Sequence, residues 1–329
     1  MPAAMHAIVF EEQELARTKD ETVLDCLLKH NIDIASGCRS GVCQSCVLEL
    51  DTSDHCTPAL TGLYQQGLSV EQQQAGQILA CCSKPEATVR LRRVNSSALR
   101  VPATVIEKFW LNDSVICLRL HTQMQYRPGQ YLTLWRDASI ARSYSIASCP
   151  ANENYLELHI RHYEQGACSG WIASDLRVGD SLELQGPMGS FFYAAEINQP
   201  LLLCAMGTGL SAIYGVLKDA LASGHTGTIG LVVAAKNSSG LYLLDELRAL
   251  EARHDNLSVD FLVQAPDDSC EIAQQGDVYD HCTTQVEDLS QRKIYLCGGE
   301  SFVAKLRKRL FMAGIALNNI RADSFLSFV

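Results

Sequence analysis

Three cysteines, Cys38, Cys43 and Cys46, stand with four and then two residues between them, and no other feature restricts this chain so tightly. A loop that aims three thiolates at one point must turn sharply, and Gly37 and Gly41 supply that freedom. This is a spacing at which thiolates hold an iron-sulfur cluster. A fourth donor has to come from elsewhere, and Cys56, Cys81 and Cys82 are the candidates. Zinc also accepts four cysteines, but its modules usually pair two C-x2-C knuckles, and here there is one.

The remaining thiols among the 14 cysteines call for a different explanation. The first residues carry neither a basic segment nor a long apolar run, so no secretory signal is expected and the protein is placed in the cytoplasm, where thiols stay reduced. Most are then buried apolar fillers, as expected for Cys26 inside a helix and for Cys204 inside a strand. The formal net charge of −10 argues against a nucleic-acid or anionic-membrane partner. The basic run from Lys305 to Arg309 reads as the solvated side of a helix. Leu201 to Leu217 is broken by Gly207, Thr208 and Gly209, and is shorter than the roughly 20 residues of a membrane helix.

A chain of 329 residues exceeds one compact core, and its periodicity changes twice along its length. Residues 5–10 and 13–17 read as a hairpin, 22–29 as an amphipathic helix, and 47–50 and 87–91 as strands. Together these form a small α+β domain over residues 1–95, followed by a polar linker near 93–98. Residues 101–196 are mostly strand (103–107, 115–120, 131–135, 143–147, 155–161 and 181–184), with one helix near 169–175, as in an antiparallel barrel. From 198 to 329 strands at 201–205, 228–234, 259–263 and 293–297 alternate with helices at 210–222, 242–253 and 301–313. That alternation implies an open parallel sheet with helices on both faces.

Several motifs in the middle segment face one kind of ligand. Arg142, Ser143, Tyr144 and Ser145 lie on a strand, and Gly166, Ala167, Cys168 and Ser169 precede a helix whose free amides suit an anion. Pro128–Tyr131 and Gly186–Gly189 flank them. Taken singly, Tyr144 is a core aromatic and Arg142 a surface charge. Together the motifs resemble the flavin domain of the ferredoxin-NADP reductase superfamily. The resemblance implies FAD, with Arg142 on its pyrophosphate, Tyr144 against the ring or ribityl chain, Ser145 near N5, and Gly166 to Ser169 on phosphate. The cysteine loop in turn is similar to plant-type ferredoxins, which implies a β-grasp fold and a [2Fe-2S] cluster. In that pattern the last ligand follows a Leu-Ala pair, so Cys81 joins Cys38, Cys43 and Cys46. His159 and His162 point to opposite faces of a strand and read as ordinary histidines.

In the last segment a glycine turn, Gly207, Thr208 and Gly209, links a buried strand to a helix, where a backbone can approach a pyrophosphate. It is short of a full dinucleotide fingerprint and equally suits plain strand-to-helix packing. Cys297 and Gly298 end the last strand of the alternating pattern, and Cys297 alone reads as a packed thiol. The superfamily resemblance implies that these five residues line the nicotinamide site, with Cys297 beside the ring and Phe325 covering it. Ser145 and Cys297 are then the residues at hydride transfer. The region after the second strand holds Lys236 without an arginine cluster, which favours NADH over NADPH.

The order of cluster, flavin and nucleotide segments resembles the reductase components of bacterial multicomponent oxygenases. The implied enzyme is an oxidoreductase that passes electrons from NADH through FAD to a [2Fe-2S] cluster and on to a protein acceptor such as an oxygenase. A monomer without membrane insertion is expected. The rival readings are a reductase of another pathway, of the deoxysugar dehydrase type, and a redox sensor without turnover.

Overall fold

The computed structural model describes residues 6–36, 39, 41, 44–51, 67–94, 100–137, 139–265 and 272–325. These residues form two compact units. One takes the described residues up to Val101 together with Thr133–Ser143 and Leu182–Gly186; the other takes Pro102–Leu132, Tyr144–Ser181 and the described residues from Pro187 onward.

In the first unit a five-stranded sheet has the order β2-β1-β5-β3-β4. It is built from β1 (His6–Phe10), β2 (Gln13–Arg17), β3 (Val47–Leu50), β4 (Gln77–Leu79) and β5 (Val89–Arg93). Helix α1 (Val23–Lys29) is capped by the Thr22 side chain and buries Val23, Leu24, Cys26 and Leu27, so Cys26 is a core residue as expected. The short α2 (Val70–Gln74) opens with a capping box between Ser69 and Gln72. Strand β5 lies two residues later than the apolar pattern implies. Its pairing with β3 sets its position, and the Arg92–Glu49 ion pair continues the match at the surface.

The second sheet is antiparallel and has six strands, in the order β10-β7-β6-β11-β8-β9. They are β6 (Arg100–Asn112), β7 (Val115–Thr122), β8 (Tyr131–Trp135), β9 (Ala141–Ser145), β10 (Leu156–Arg161) and β11 (Ser181–Met188). A bridge from Ile146, just beyond β9, to Leu158 of β10 brings the two edges together and closes the barrel. At 13 residues β6 is far longer than expected, and register shifts at Val105/Glu107 and Trp110/Asn112 let it bend around the barrel. The barrel's helix is α3 (Ala167–Ser174).

The third sheet has the order β15-β14-β13-β12-β16-β17, and every pairing in it is parallel. Strands β12 (Leu201–Met206), β13 (Ile229–Asn237), β14 (Leu257–Ala265) and β16 (Lys293–Gly299) match the expected apolar runs. The edge strands β15 (Gln274–Gln275) and β17 (Ile320–Phe325) were not legible, because both are polar or mixed and only one neighbour shields them. Helix α4 (Leu210–Ala222) has the expected bounds, while α5 (Leu244–Glu251) starts late because Leu243 takes a left-handed conformation. A short α6 (Val278–Asp280) runs into a π-helical turn, His281–Gln285, and α7 (Glu300–Met312) follows β16. Separate apolar clusters on the two faces of the sheet, one around α4 and α5 and one around α7, show helices on both sides. Among the described residues no helix is long and apolar enough to cross a membrane.

Gly215 is where α4 meets the barrel. A Cβ there would stand 2.6 Å from the Ile146 carbonyl oxygen and 2.7 Å from the Gly129 nitrogen, both backbone atoms that cannot swing aside. Replacing a mid-helix glycine with alanine normally stabilises a helix. Here Gly215→Ala should instead destabilise the fold, by about 1–3 kcal/mol in denaturant unfolding.

Candidate redox centres

Cys46 and Cys81 are both buried, and their thiols interact across the gap between β3 and the turn after β4. The Cys46 carbonyl accepts from the Ala80 amide at 3.1 Å, which ties the two segments at this point. The Cys81 thiol is pushed up by its contact with Cys46 and by burial, which favours its protonated form. A metal that replaced the Cys81 proton would remove that penalty, so two buried sulfurs in contact suit a thiolate-bound cluster. Cys82 Sγ lies 3.6 Å from Cys81 Sγ and is more exposed. Cys38, Cys43 and Cys56 lie outside the described residues.

The flavin motif sits on β9. Its two ends are buried and its middle half-buried, and Ser145 is only 5% exposed, with an Oγ that has no protein partner. A buried hydroxyl without a hydrogen bond costs free energy, so one aimed where a ligand would lie fits a flavin. Tyr144 is half-buried and donates from its hydroxyl to Cys168 Sγ at 3.5 Å. Cys168 therefore lies beneath Tyr144. Ser169 Oγ accepts from the Tyr163 amide at 3.1 Å, which folds the loop ahead of α3. Gly166 caps α3 without a side-chain hydrogen bond, and Ala167 begins the helix. Ser143 Oγ pairs with Thr133 Oγ at 3.3 Å, and Arg142 Nη1 donates to the Ser36 carbonyl at 2.7 Å.

The glycine turn and the end of β16 are in direct contact. Gly207 has φ +57°, and a Cβ on Gly209 would stand 2.1 Å from the Cys297 carbonyl oxygen, so only glycine lets the turn approach so closely. Thr208 is half-buried between them. Helix α4 starts from this turn with no side-chain cap, which suits a dinucleotide phosphate. Cys297 is fully buried, and burial first, then the neighbouring Asp323, push its thiol up. Gly298 follows it with little room for a side chain, and Phe325 packs partly buried on the same cluster as Cys297. Asp323, paired in register with Cys297, was missed by the sequence reading. Burial raises its carboxyl to about 6. Its only signal was its place in a polar tail.

A hydrogen bond joins the flavin and nucleotide motifs. Ser211 Oγ, in the first turn of α4, donates to the Ser145 carbonyl at 2.8 Å. The residue with the unpartnered hydroxyl and the helix behind the glycine turn are thus held edge to edge.

Family models match residues 9–86 as a 2Fe-2S iron-sulfur cluster binding domain, 102–193 as an oxidoreductase FAD-binding domain and 203–308 as an oxidoreductase NAD-binding domain. The reductase component of phenol 2-monooxygenase from Pseudomonas sp. strain CF600 is 30% identical, across 84% of this chain and 82% of its own. The chain belongs to the ferredoxin-NADP reductase superfamily. It is a three-domain reductase, an NAD(P)H-dependent oxidoreductase with [2Fe-2S], FAD and nicotinamide sites. The reductase component of the naphthalene 1,2-dioxygenase/salicylate 5-hydroxylase systems of a Ralstonia species is 27% identical over 92% of this chain and 93% of its own. In fold the chain is similar to an Amycolatopsis cytochrome P450 reductase, with a TM-score of 0.67 at 22% identity, covering 98% of this chain and 99% of the other.

His159 sits in a buried polar network. It is buried, its Nε2 meets Glu157 Oε1 at 3.1 Å, and its Nδ1 faces the Tyr242 hydroxyl at 3.4 Å. His162 lies past the end of β10 and meets Trp110 edge to face. Cys117 completes a buried Cys117–Glu157–His159 group, and Arg119 Nε donates to Glu157 Oε2 at 2.7 Å. Burial alone would raise the Glu157 carboxyl, but its bonds from His159 and Arg119 outweigh it and hold it at about 2. A depressed carboxylate contributes stability above its unfolded value and loses it as pH falls towards the folded one. Thermal unfolding should therefore show about 3 kcal/mol lost between pH 4.5 and 2. In Glu157→Gln this acid limb should flatten.

Proposed function

We propose that this chain is the NADH-driven reductase of a bacterial multicomponent oxygenase, working as a cytoplasmic monomer. Residues 1–95 hold the cluster, 101–196 the FAD and 198–329 the nucleotide. The observation that carries the reading is the Ser211–Ser145 bond, which sets a buried, unpartnered hydroxyl beside the glycine turn. In this reading Ser145 hydrogen-bonds the flavin near N5, Tyr144 lies against the ring, Arg142 and Gly166 to Ser169 bind phosphate, and Gly207, Thr208, Gly209 and Gly298 line the dinucleotide. Cys297 closes the site behind the nicotinamide, and Phe325 covers the ring. When bound, the nicotinamide supplies electrons in pairs, the flavin splits the pair, and the cluster hands them on singly. The protein's part is to hold the cofactors and exclude water.

The acceptor in this reading is an oxygenase component, because the phenol 2-monooxygenase and naphthalene dioxygenase relatives are named as parts of such systems. A dehydrase reductase from Yersinia pestis, 27% identical over 92% of this chain and 93% of its own, supports the second reading, an acceptor in deoxysugar synthesis. Steady-state reduction of an artificial acceptor should favour NADH over NADPH by about tenfold or more, since no arginine cluster follows β13 for a 2'-phosphate. Equal rates, or a preference for NADPH, would reverse that assignment.

Cys81 is the fourth ligand in this reading, with Cys82 beside it as a bystander. Cys81→Ser should therefore lose the iron and the visible cluster absorption, while Cys82→Ser keeps both. Iron analysis of the two purified variants decides between them.

A further inference from the structure

Asn112 ties the hairpin between β6 and β7 to the segment that follows β13. It closes β6 just past a register shift, a device that re-aims a side chain. Its Oδ1 accepts from the Ser114 amide at 2.9 Å and from the Ser114 hydroxyl at 3.2 Å. Its Nδ2 donates to the Ser239 and Leu241 carbonyls, each at 3.1 Å. Both ends of the amide are thereby fixed, since a backbone N–H can meet only Oδ1 and a carbonyl can meet only Nδ2. Closing the turn needs the oxygen alone, which aspartate or serine would supply as well. The nitrogen of Asn112 serves the segment after β13.

That segment is held from a second side. Tyr242 is buried, and its hydroxyl faces His159 Nδ1 at 3.4 Å with the rings edge to face. Glu157, ionised and bonded by Arg119, can only accept from His159 Nε2, which in the neutral ring leaves Nδ1 to accept from the tyrosine. Leu243, next along, has φ +58°, a conformation that persists in a non-glycine residue only where its surroundings hold it. Asn112, His159 and residues 238–243 all belong to one compact unit.

The order of the parallel sheet identifies what this segment borders. Ligands bind outside the carboxyl ends of such strands. Strand β12 ends in the glycine turn, β16 ends at Gly299 on one side of it, and β13 ends on the other. A dinucleotide with its pyrophosphate on the turn and its nicotinamide at β16 must send its adenosine half over β13. Met206, the last residue of β12, pairs with Ala234, and β13 continues three residues further to Asn237. At about 3.3 Å per residue, the strand runs about 10 Å past the start of the turn and walls that side together with the segment it leads into.

We propose that Asn112 is a positioning residue for the adenosine half of the nucleotide, with the His159–Tyr242 contact as a second anchor. Two barrel side chains then set where the segment after β13 stands against the adenosine ribose. The inference rests on the nucleotide reading above and adds to it a part for the barrel in dinucleotide affinity. Asn112 touches no reacting atom in this assignment, so hydride transfer is unchanged by its loss. The adenosine half loses its support, and a dinucleotide binds less tightly. A mononucleotide that ends at its first phosphate never reaches that wall.

The test uses the full chain with its flavin content measured, and two probes. ADP-ribose carries the adenosine half without the nicotinamide, and reduced nicotinamide mononucleotide carries the nicotinamide without the adenosine. In Asn112→Ala the ADP-ribose dissociation constant from titration calorimetry should rise about tenfold, and KM for NADH should rise with it at a kcat within about twofold of the parent. Rates with the reduced mononucleotide should also stay within about twofold. Asn112→Asp keeps the acceptor for Ser114 and exchanges the donor for a carboxylate oxygen. It should weaken ADP-ribose at least as much, and it takes the place of the alanine variant should that fail to fold. Tyr242→Phe keeps the ring and loses the hydroxyl, with an expected rise of about threefold, and no change there overturns the second anchor. Parent-like ADP-ribose binding in the Asn112 variants overturns the proposal, as does an equal loss with the mononucleotide. A parent protein that binds no ADP-ribose and oxidises neither NADH nor the mononucleotide overturns the nucleotide reading beneath it, a result obtained before any variant is made.

Discussion

The hydrogen bond from Ser211 to the Ser145 carbonyl is the point on which the arrangement depends. Hydride transfer requires two rings in contact, and it cannot be rescued by charge or flexibility when the rings are held apart. In the proposed function, β9 must therefore be locked to the helix behind the glycine turn. Gly215, one turn further along α4, allows that helix to lie against the backbone of Ile146 and Gly129. Gly209 does the same between the turn and Cys297. Both positions have no room for a methyl group, so the chemistry is framed by backbone packed on backbone.

Around this frame the polar groups are arranged unequally. Glu157 is ringed by donors, so its charge is held inside the barrel by His159 and Arg119. Asp323 is buried with less support, and its carboxyl is correspondingly easier to protonate. The Ser145 hydroxyl has no protein partner. A fold that satisfies Glu157 so thoroughly while leaving the Ser145 hydroxyl unpaired treats the two polar groups differently, which is the contrast the proposed flavin role of Ser145 draws on.

The split of the chain into units also has a physical origin. The expected segments follow periodicity, which reports local geometry. The compact units follow contact, and they assign Thr133–Ser143 and Leu182–Gly186, parts of β8, β9 and β11, to the cysteine-bearing part. Trp135, Ala141 and Arg142 are the residues responsible, because their partners Ala35 and Ser36 lie about a hundred positions earlier. A large aromatic ring and a guanidinium fork can each hold a distant segment by a few contacts.

Much of this was written in the sequence because it is local. The cysteine spacing, the alternation from 101 to 196, and the strand-helix rhythm after Pro200 each arise within a few residues of chain, so the domain types and the bounds of α4 could be read directly. The edge strands β15 and β17 could not, since strands shielded on one side need no apolar pattern. Nor could the place of Asp323 beside Cys297, or the buried network around His159. Each of these joins residues far apart in the chain, and a side chain's spacing says nothing about a partner that only the folded backbone brings within reach. The residue types that do the chemistry were determined by the sequence alone. Which of them face one another was decided by tertiary packing, because hydrogen bonds and burial act over a few ångströms of space, however many residues of chain intervene.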